Sequence, residues 1–366
     1  MSSFWEQFTQ LLTQNAKRYK SLPIPAQQVD VEYDSAPFKE GEAYCRLWLV
    51  EMRLAKGVEW FTKRYPIVHS AVRFHHGTQN VTVPYLAEPE FIKNLAQGNL
   101  DKVIQYNYPL TSLFPFNQGI VELQAGLFSM LASDQISKFA TSLGRFSKLL
   151  PVPQLSQVLN LTNPVHSGIQ DLFDVGESRL ELGYHQSFTG DHQSGGSNIL
   201  QPGYFAAILA EDNEIESNQL CIVNDSLRVS QATDNKAFVK NSQPLDGYSY
   251  MLFRVEKRDD QDWESLTNIK SLVYQAQQAV AEGKLQQVKT HVLPTLRTTI
   301  FSSPDIAKKD KRQMVVKIED VLKEWGLQSA SAIPKPSLYA IMQRTMPNID
   351  AETEAELSSL EGLFSS

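Results

Sequence analysis

The sequence predicts an α+β protein: an antiparallel β-sandwich-like body with a helical insert and a C-terminal three-helix module. Three observations predict it. Short runs rich in β-branched and aromatic residues recur through residues 41–258, separated mostly by Gly, Asn, Asp and Ser. Regular crossover helices, which a parallel sheet needs, do not alternate with these runs. Helical apolar spacing instead takes over in two blocks, residues 133–175 and 262–326.

Each element has its own local reason. Phe4, Trp5, Phe8, Leu11 and Leu12 share a helical face behind Ser3, so an amphipathic helix is expected over residues 3–20, within an N-terminal segment 1–25. Pro23 and Pro25 cannot continue it, and a polar connection follows to Gly41. Strands are expected at 43–54, at 67–76 and 78–87 as the arms of a hairpin around Gly77, and at 119–130, 178–188, 203–211, 218–229 and 247–257. Residues 88–104 read as helical or irregular.

In the C-terminal module, Asp262 caps a helix bearing Trp263, Leu266, Ile269, Val273, Ala276 and Val280, which stops at Gly283. A second helix covers 284–300, with a kink at Pro294. The third is expected to begin at Ser303, with Pro304 and Asp305 in its first turn. It carries Met314, Ile318, Val321, Leu322 and Trp325 and ends at Gly326. Residues 327–366 read as a linker, broken by Pro334 and Pro336, and an acidic amphipathic tail.

Composition narrows the function. A net charge of −7 argues against nucleic acid as a partner, because such binders present a dominant basic face. Cys45 and Cys221, both in apolar runs, are expected to be buried free thiols. The N-terminus lacks the pattern of a signal peptide, and no apolar run is long enough to make a transmembrane helix; a cytoplasmic location is expected. The cadence of "LFPFNQGIVELQAGL" and "DLFDVGESRLELGYHQSF" suggests a bacterial protein.

The chemical candidates are few. His75 and His76 are neighbours on a strand, so they project to opposite faces and cannot easily share a metal. His69 lies on the face of His75 but roughly 20 Å away by strand rise. A solvated hairpin end is expected there, with no metal and no cofactor. The stretch "YHQSFTGDHQSGGSN", 184–198, gathers His185, Ser187, Asp191, His192 and Ser194 near Gly195 and Gly196. His185, Asp191, His192 and Ser194 form a candidate ligand-binding loop. No GxSxG elbow presents a serine there, so no catalytic residue is assigned. Asn224-Asp225 and the acids Asp259, Asp260 and Asp262 fit turn and capping roles rather than a calcium loop. Lys308, Lys309, Lys311 and Arg312 fit a solvated face.

Two apolar segments point outward from this frame. Residues 149–170 contain no charged side chain, and Phe139, Leu143, Phe146 and Leu150 form a stripe. That stripe fits a core cap, or else a partner or peripheral membrane surface. In the tail, Leu338, Ile341 and Met342 precede Leu357, Leu360 and Phe364, which stand among five carboxylates; this is the pattern of a helix-in-groove peptide, or equally of a tail that docks onto its own chain. The expected function is therefore a non-enzymatic interaction, adaptor or regulatory protein that uses its tail or insert to engage a protein partner. A membrane- or lipid-acting effector using 133–175 is the alternative, and a hydrolase using the 184–198 loop the third reading.

Overall fold

The protein is described by a computed structural model, which covers residues 4–14, 19–55, 58–59, 62–86, 104–131, 178–190, 198–211, 214–230 and 237–327. The insert 133–175, with Phe139, Leu143, Phe146 and Leu150, lies outside the described residues. So do Asp191, His192 and Ser194, and the tail residues Leu338, Ile341, Met342, Leu357, Leu360 and Phe364.

The fold is α+β, with antiparallel sheets and most of its helix near the C-terminus. Helix α1 (Phe4–Gln14) is followed by strands β1 (Lys20–Ile24), β2 (Tyr44–Arg53), β3 (Val58–Glu59), β4 (Thr62–His76), β5 (Gln79–Leu86), β6 (Ile104–Pro109) and β7 (Phe114–Pro115). Then come β8 (Ile120–Leu131), β9 (Ser178–Thr189), β10 (Gly203–Ile208), β11 (Leu220–Val223), β12 (Ser226–Val229), β13 (Gln243–Pro244) and β14 (Tyr250–Arg258). One sheet runs β1-β10-β14-β2-β6, with β7 also on β2. A second runs β3-β4-β8-β9, with β5 on β4. A small third sheet is β11-β12-β13.

Side-chain alternation builds the core. Met251, Phe253 and Val255 of β14, with Leu47 and Leu49 of β2 and Phe205 of β10, join Val72, Leu123, Leu127, Leu182 and Tyr184 from the second sheet in one buried cluster. Phe205 and Phe253 stack with ring centroids 5.2 Å apart, and Tyr184 lies 5.7 Å from Phe253. Two sheets sharing one apolar interior is the sandwich that the alternating pattern implies.

The outer faces are treated differently. Helix α1 lays Trp5, Phe8 and Leu12 on Ala71, Phe128 and Leu180 of the second sheet. Gly183 makes room for it, since a methyl there would stand 3.2 Å from Leu12. On the first sheet, part of the outer face is covered by the third sheet, through Leu220, Ile222 and Leu227 against Val50, Ala206, Ile208, Tyr250 and Leu252. A register shift between Leu49 and Glu51 lets both Val50 and Glu51 serve this outer side. Glu51, fully buried, accepts hydrogen bonds from the Tyr250 hydroxyl and from the Leu227 amide (3.0 Å).

Several expectations are corrected. Lys20–Ile24, expected as the last helical residue and the start of a polar connection, is an edge strand paired with β10, where Pro23 loses no ladder donor of consequence. The run 218–229 is two strands, not one: Asn224 and Asp225 take φ of 52° and 58° and turn a tight hairpin. Of the stretch 88–104, the one described residue, Ile104, opens strand β6. The third C-terminal helix starts at Asp310 rather than Ser303, because Ser303 N closes the preceding helix and Ala307, Lys308 and Lys309 donate to the sandwich instead.

Among the described residues, the longer C-terminal helices are α2 (Thr267–Ala281), α3 (Leu293–Ser302) and α4 (Asp310–Glu324). Asp262 caps, as expected, but it caps a short turn at Trp263–Ser265 ahead of α2. Ahead of Pro294 the backbone makes a π-helical turn at Val288–Val292, a wider loop that accommodates a residue without an N–H. The chain forms two compact units, residues 1–272 with 295–315 and residues 273–294 with 316–366. In the second, Val273, Ala276, Val280, Val288, Ile318 and Leu322 are buried, whereas Trp325 is 55% exposed and is no part of the stripe. Gly326, at φ 104°, ends α4 as expected. Cys45 and Cys221 are buried and free.

The strap from Ser303 to Asp310 is tied to the sandwich at several points. Lys309 N donates to Gly41 O (2.9 Å), Lys308 N to Asn117 Oδ1 (3.2 Å) and Ala307 N to the Tyr44 hydroxyl (3.1 Å). Tyr44 in turn donates to Asp310 Oδ2 (2.7 Å), which also accepts from Gln261 N (3.2 Å).

The strap also settles the paired histidines. His75 is partly exposed, near Asn80 Oδ1 (3.3 Å) and Gly77 O (3.1 Å), in keeping with a solvated hairpin end. His76 is buried instead, its Nε2 3.3 Å from Asp305 Oδ1. Burial holds its pKa below the usual histidine value, outweighing the upward pull of Asp305 and reinforced by His75. His69 is more extreme, buried beside Phe128 (5.2 Å), and burial pushes its pKa down to about 3. It is therefore neutral in the fold and charged in the unfolded chain below about pH 6.5. Its contribution to stability is present above that pH and is lost as pH falls toward 3. Between pH 6.5 and 4 the loss should be on the order of 3 kcal/mol. Urea titrations across this range should show a His69→Leu variant with a flatter acid limb; identical slopes would sink the assignment.

Candidate functional site

Of the four candidate residues His185, Asp191, His192 and Ser194, the structure describes His185. It stands on β9, its side chain 44% exposed and its Nε2 3.8 Å from Glu122 Oε1. Its ring meets Trp5 of α1 edge-on at 5.9 Å, and the guanidinium of Arg73 lies 4.5 Å from the Trp5 ring centre. Arg73 is itself bonded through Nε to Glu122 (2.6 Å). This cluster fastens α1 to the second sheet, and it accounts for His185 without a ligand.

A different place has the form of a binding site. Where the third sheet stops short, the outer face of the first sheet remains open as a groove of about 430 Å³, within the range of ligand pockets. Its floor comes from three adjacent strands. Tyr204 of β10 pairs across the ladder with Arg254 of β14, and Arg254 with Trp48 of β2. Glu256 lines the groove one step along, and its cross-strand partner Arg46 flanks the groove beside Trp48 without lining it. All point outward because they fall on alternate positions from the buried Leu47, Phe205, Phe253 and Val255. Val31, Tyr33 and Asp34 make one wall.

The floor is a ladder of rings and guanidiniums. The Arg254 guanidinium lies 4.9 Å from the Trp48 ring centre and 5.9 Å from that of Tyr204; Arg46 lies 5.5 Å from Trp48. Glu256 accepts from Trp48 Nε1 (2.7 Å) and from Arg258 Nε (2.6 Å). Burial alone would raise its carboxyl, but these bonds and the charges of Arg46 and Arg258 hold it below the ordinary glutamate range. The Tyr204 hydroxyl donates to Asp225 Oδ1 (2.5 Å), and burial with that bond pushes its pKa up to about 12. Asp225 belongs to the tight turn of the small sheet, which Asp30 also holds by accepting from Asn224 N (2.7 Å). Gly203, at φ 135°, lets the wall close in, because a methyl there would stand 2.7 Å from the Tyr33 hydroxyl oxygen.

Reading the sequence segment by segment missed this groove. Its signal was present, since Arg46, Trp48, Arg254 and Glu256 alternate with core residues on two strands. Only the strand order shows that those strands are neighbours. Among the described residues, no three His, Cys, Asp or Glu side chains gather to hold a metal ion, and no helix is long and apolar enough to cross a membrane. Comparison with protein families, curated proteins and solved structures finds no match.

Proposed function

We propose that this is a non-enzymatic binding protein that engages a protein partner through the groove over Trp48 and Arg254. One observation carries the reading: an Arg46–Trp48–Arg254–Tyr204 ladder left open on a sheet face that the third sheet covers elsewhere. Trp, Tyr and Arg are the residue types that dominate interface energies, and here they are held rigidly by strand pairing. The lining cations Arg254, Lys257 and Arg258 are matched by Asp34, Glu256 and Asp259, which supports a protein over a nucleic acid. Two free thiols fit a reducing compartment such as the bacterial cytoplasm.

The test measures partner affinity after proximity labelling has identified one. Trp48→Ala and Arg254→Ala should each weaken binding by roughly 30-fold, the size of a hot-spot loss of about 2 kcal/mol. A chain ending at Gln328 should keep the partner. Loss of the partner on truncation, with both groove variants still binding as the parent does, would transfer the role to the tail stripe around Leu338, Ile341 and Met342.

A further inference from the structure

The groove is balanced in formal charge but not in hydrogen-bonding capacity. Its carboxylates are largely occupied. Both oxygens of Glu256 accept short bonds, and Asp34 accepts from Ala36 N (2.9 Å) and Lys257 Nζ (3.3 Å). Asp225 accepts from Tyr204 (2.5 Å) and Asn107 Nδ2 (3.3 Å). Asp259, with open acceptors, lies exposed just past the end of β14.

The guanidiniums are in the opposite state. Arg254 makes two contacts, both at 3.5 Å and both from Nη1, to the Tyr204 oxygen and to Asp225. Arg46 has the Glu256 ion pair at 3.8 Å and the ring of Trp48. Neither Nε finds an acceptor, and both are shielded from solvent, so a partner meets these side chains through their Nη groups. Each side chain is a quarter exposed, 28% for Arg254 and 24% for Arg46, so donors of the guanidinium fork remain accessible.

We infer that the partner segment is an acidic peptide, which places a carboxylate on Arg254 beside Trp48, on the side where Arg46 flanks the groove, and an apolar side chain against Tyr33 and Val31. A carboxylate matches a guanidinium fork in plane and spacing. Each guanidinium already has one carboxylate within 4 Å, so a single further negative charge suits the site better than a phosphate dianion. Val31, 65% exposed on the wall, provides the apolar contact. This inference rests on the groove being the recognition surface.

The probe is a fluorescein-labelled decapeptide alternating Glu with Leu, compared by anisotropy with its Gln, Lys and phosphoserine counterparts on the full chain. The Glu peptide should bind saturably, and the Gln and Lys peptides at least about tenfold more weakly. Arg254→Gln should erase the preference for Glu over Gln. Arg46→Lys, which keeps charge and removes the fork, should reduce it several-fold, and circular dichroism should show both variants folded. Equal binding of the Glu and Gln peptides would overturn the carboxylate while leaving the groove as recognition surface. Tighter binding of the phosphoserine peptide would also overturn it. If no peptide binds, the inference fails, and the Trp48→Ala measurement decides separately whether the groove reading fails with it.

Discussion

Replacing Asp310 by alanine should lower stability by roughly 2–5 kcal/mol, the largest effect expected from a single polar side chain in the strap. Asp310 is 1% exposed, and one of its oxygens serves two buried donors, the Tyr44 hydroxyl and the Gln261 amide. Alanine leaves both donors in a protein interior with no acceptor and no access to water. A thermal midpoint lower by about 5–15 °C is the corresponding shift. Tyr44→Phe alone should cost less, about 1–3 kcal/mol, since it removes one donor but strands the Ala307 amide. A double-mutant cycle should then show strong coupling between positions 44 and 310. Additive losses, or a parent-like midpoint for Asp310→Ala, would mean that the strap is held by its apolar contacts, notably Ala307 against Tyr44 and Leu113.

The second large effect lies under the small sheet. Glu51→Ala should cost roughly 2–5 kcal/mol, because the Tyr250 hydroxyl and the Leu227 amide both lose their buried acceptor. Leu227 belongs to the hairpin that covers part of the outer face, so hydrogen exchange should quicken first at β11 and β12. Uniform exchange across the whole sandwich would contradict this local role. Glu51→Gln adds a pH test. Burial raises the Glu51 pKa above the usual value, despite the hydrogen bonds from Tyr250, Ser226 and Leu227 that lower it. The unfolded chain therefore releases this proton at lower pH than the fold does. The stability contributed by protonated Glu51 is full below the unfolded pKa and declines as pH rises through the folded one. The deficit of the Gln variant relative to the parent should accordingly grow on acidification.

The sequence by itself determined the class of the fold and much of its local grammar. Alternation in "GYSYMLFRVEK" makes β14, the turn at Gly77 makes the β4–β5 hairpin, the apolar spacing from Leu266 to Val280 makes α2, and Gly326 ends α4. Each depends on residues within one or two turns of one another, so each is readable from composition and period. Tertiary structure alone decided that Lys20–Ile24 is a strand, that Ser303–Lys309 is a strap and not a first helical turn, and that His76 is buried while His75 is solvated. It also decided the candidate site, because Arg46, Trp48, Tyr204 and Arg254 come from strands separated by as many as 208 positions, the span from Arg46 to Arg254. A short segment with conflicting local signals takes whichever state satisfies its backbone donors and acceptors, and those partners are supplied by distant parts of the chain.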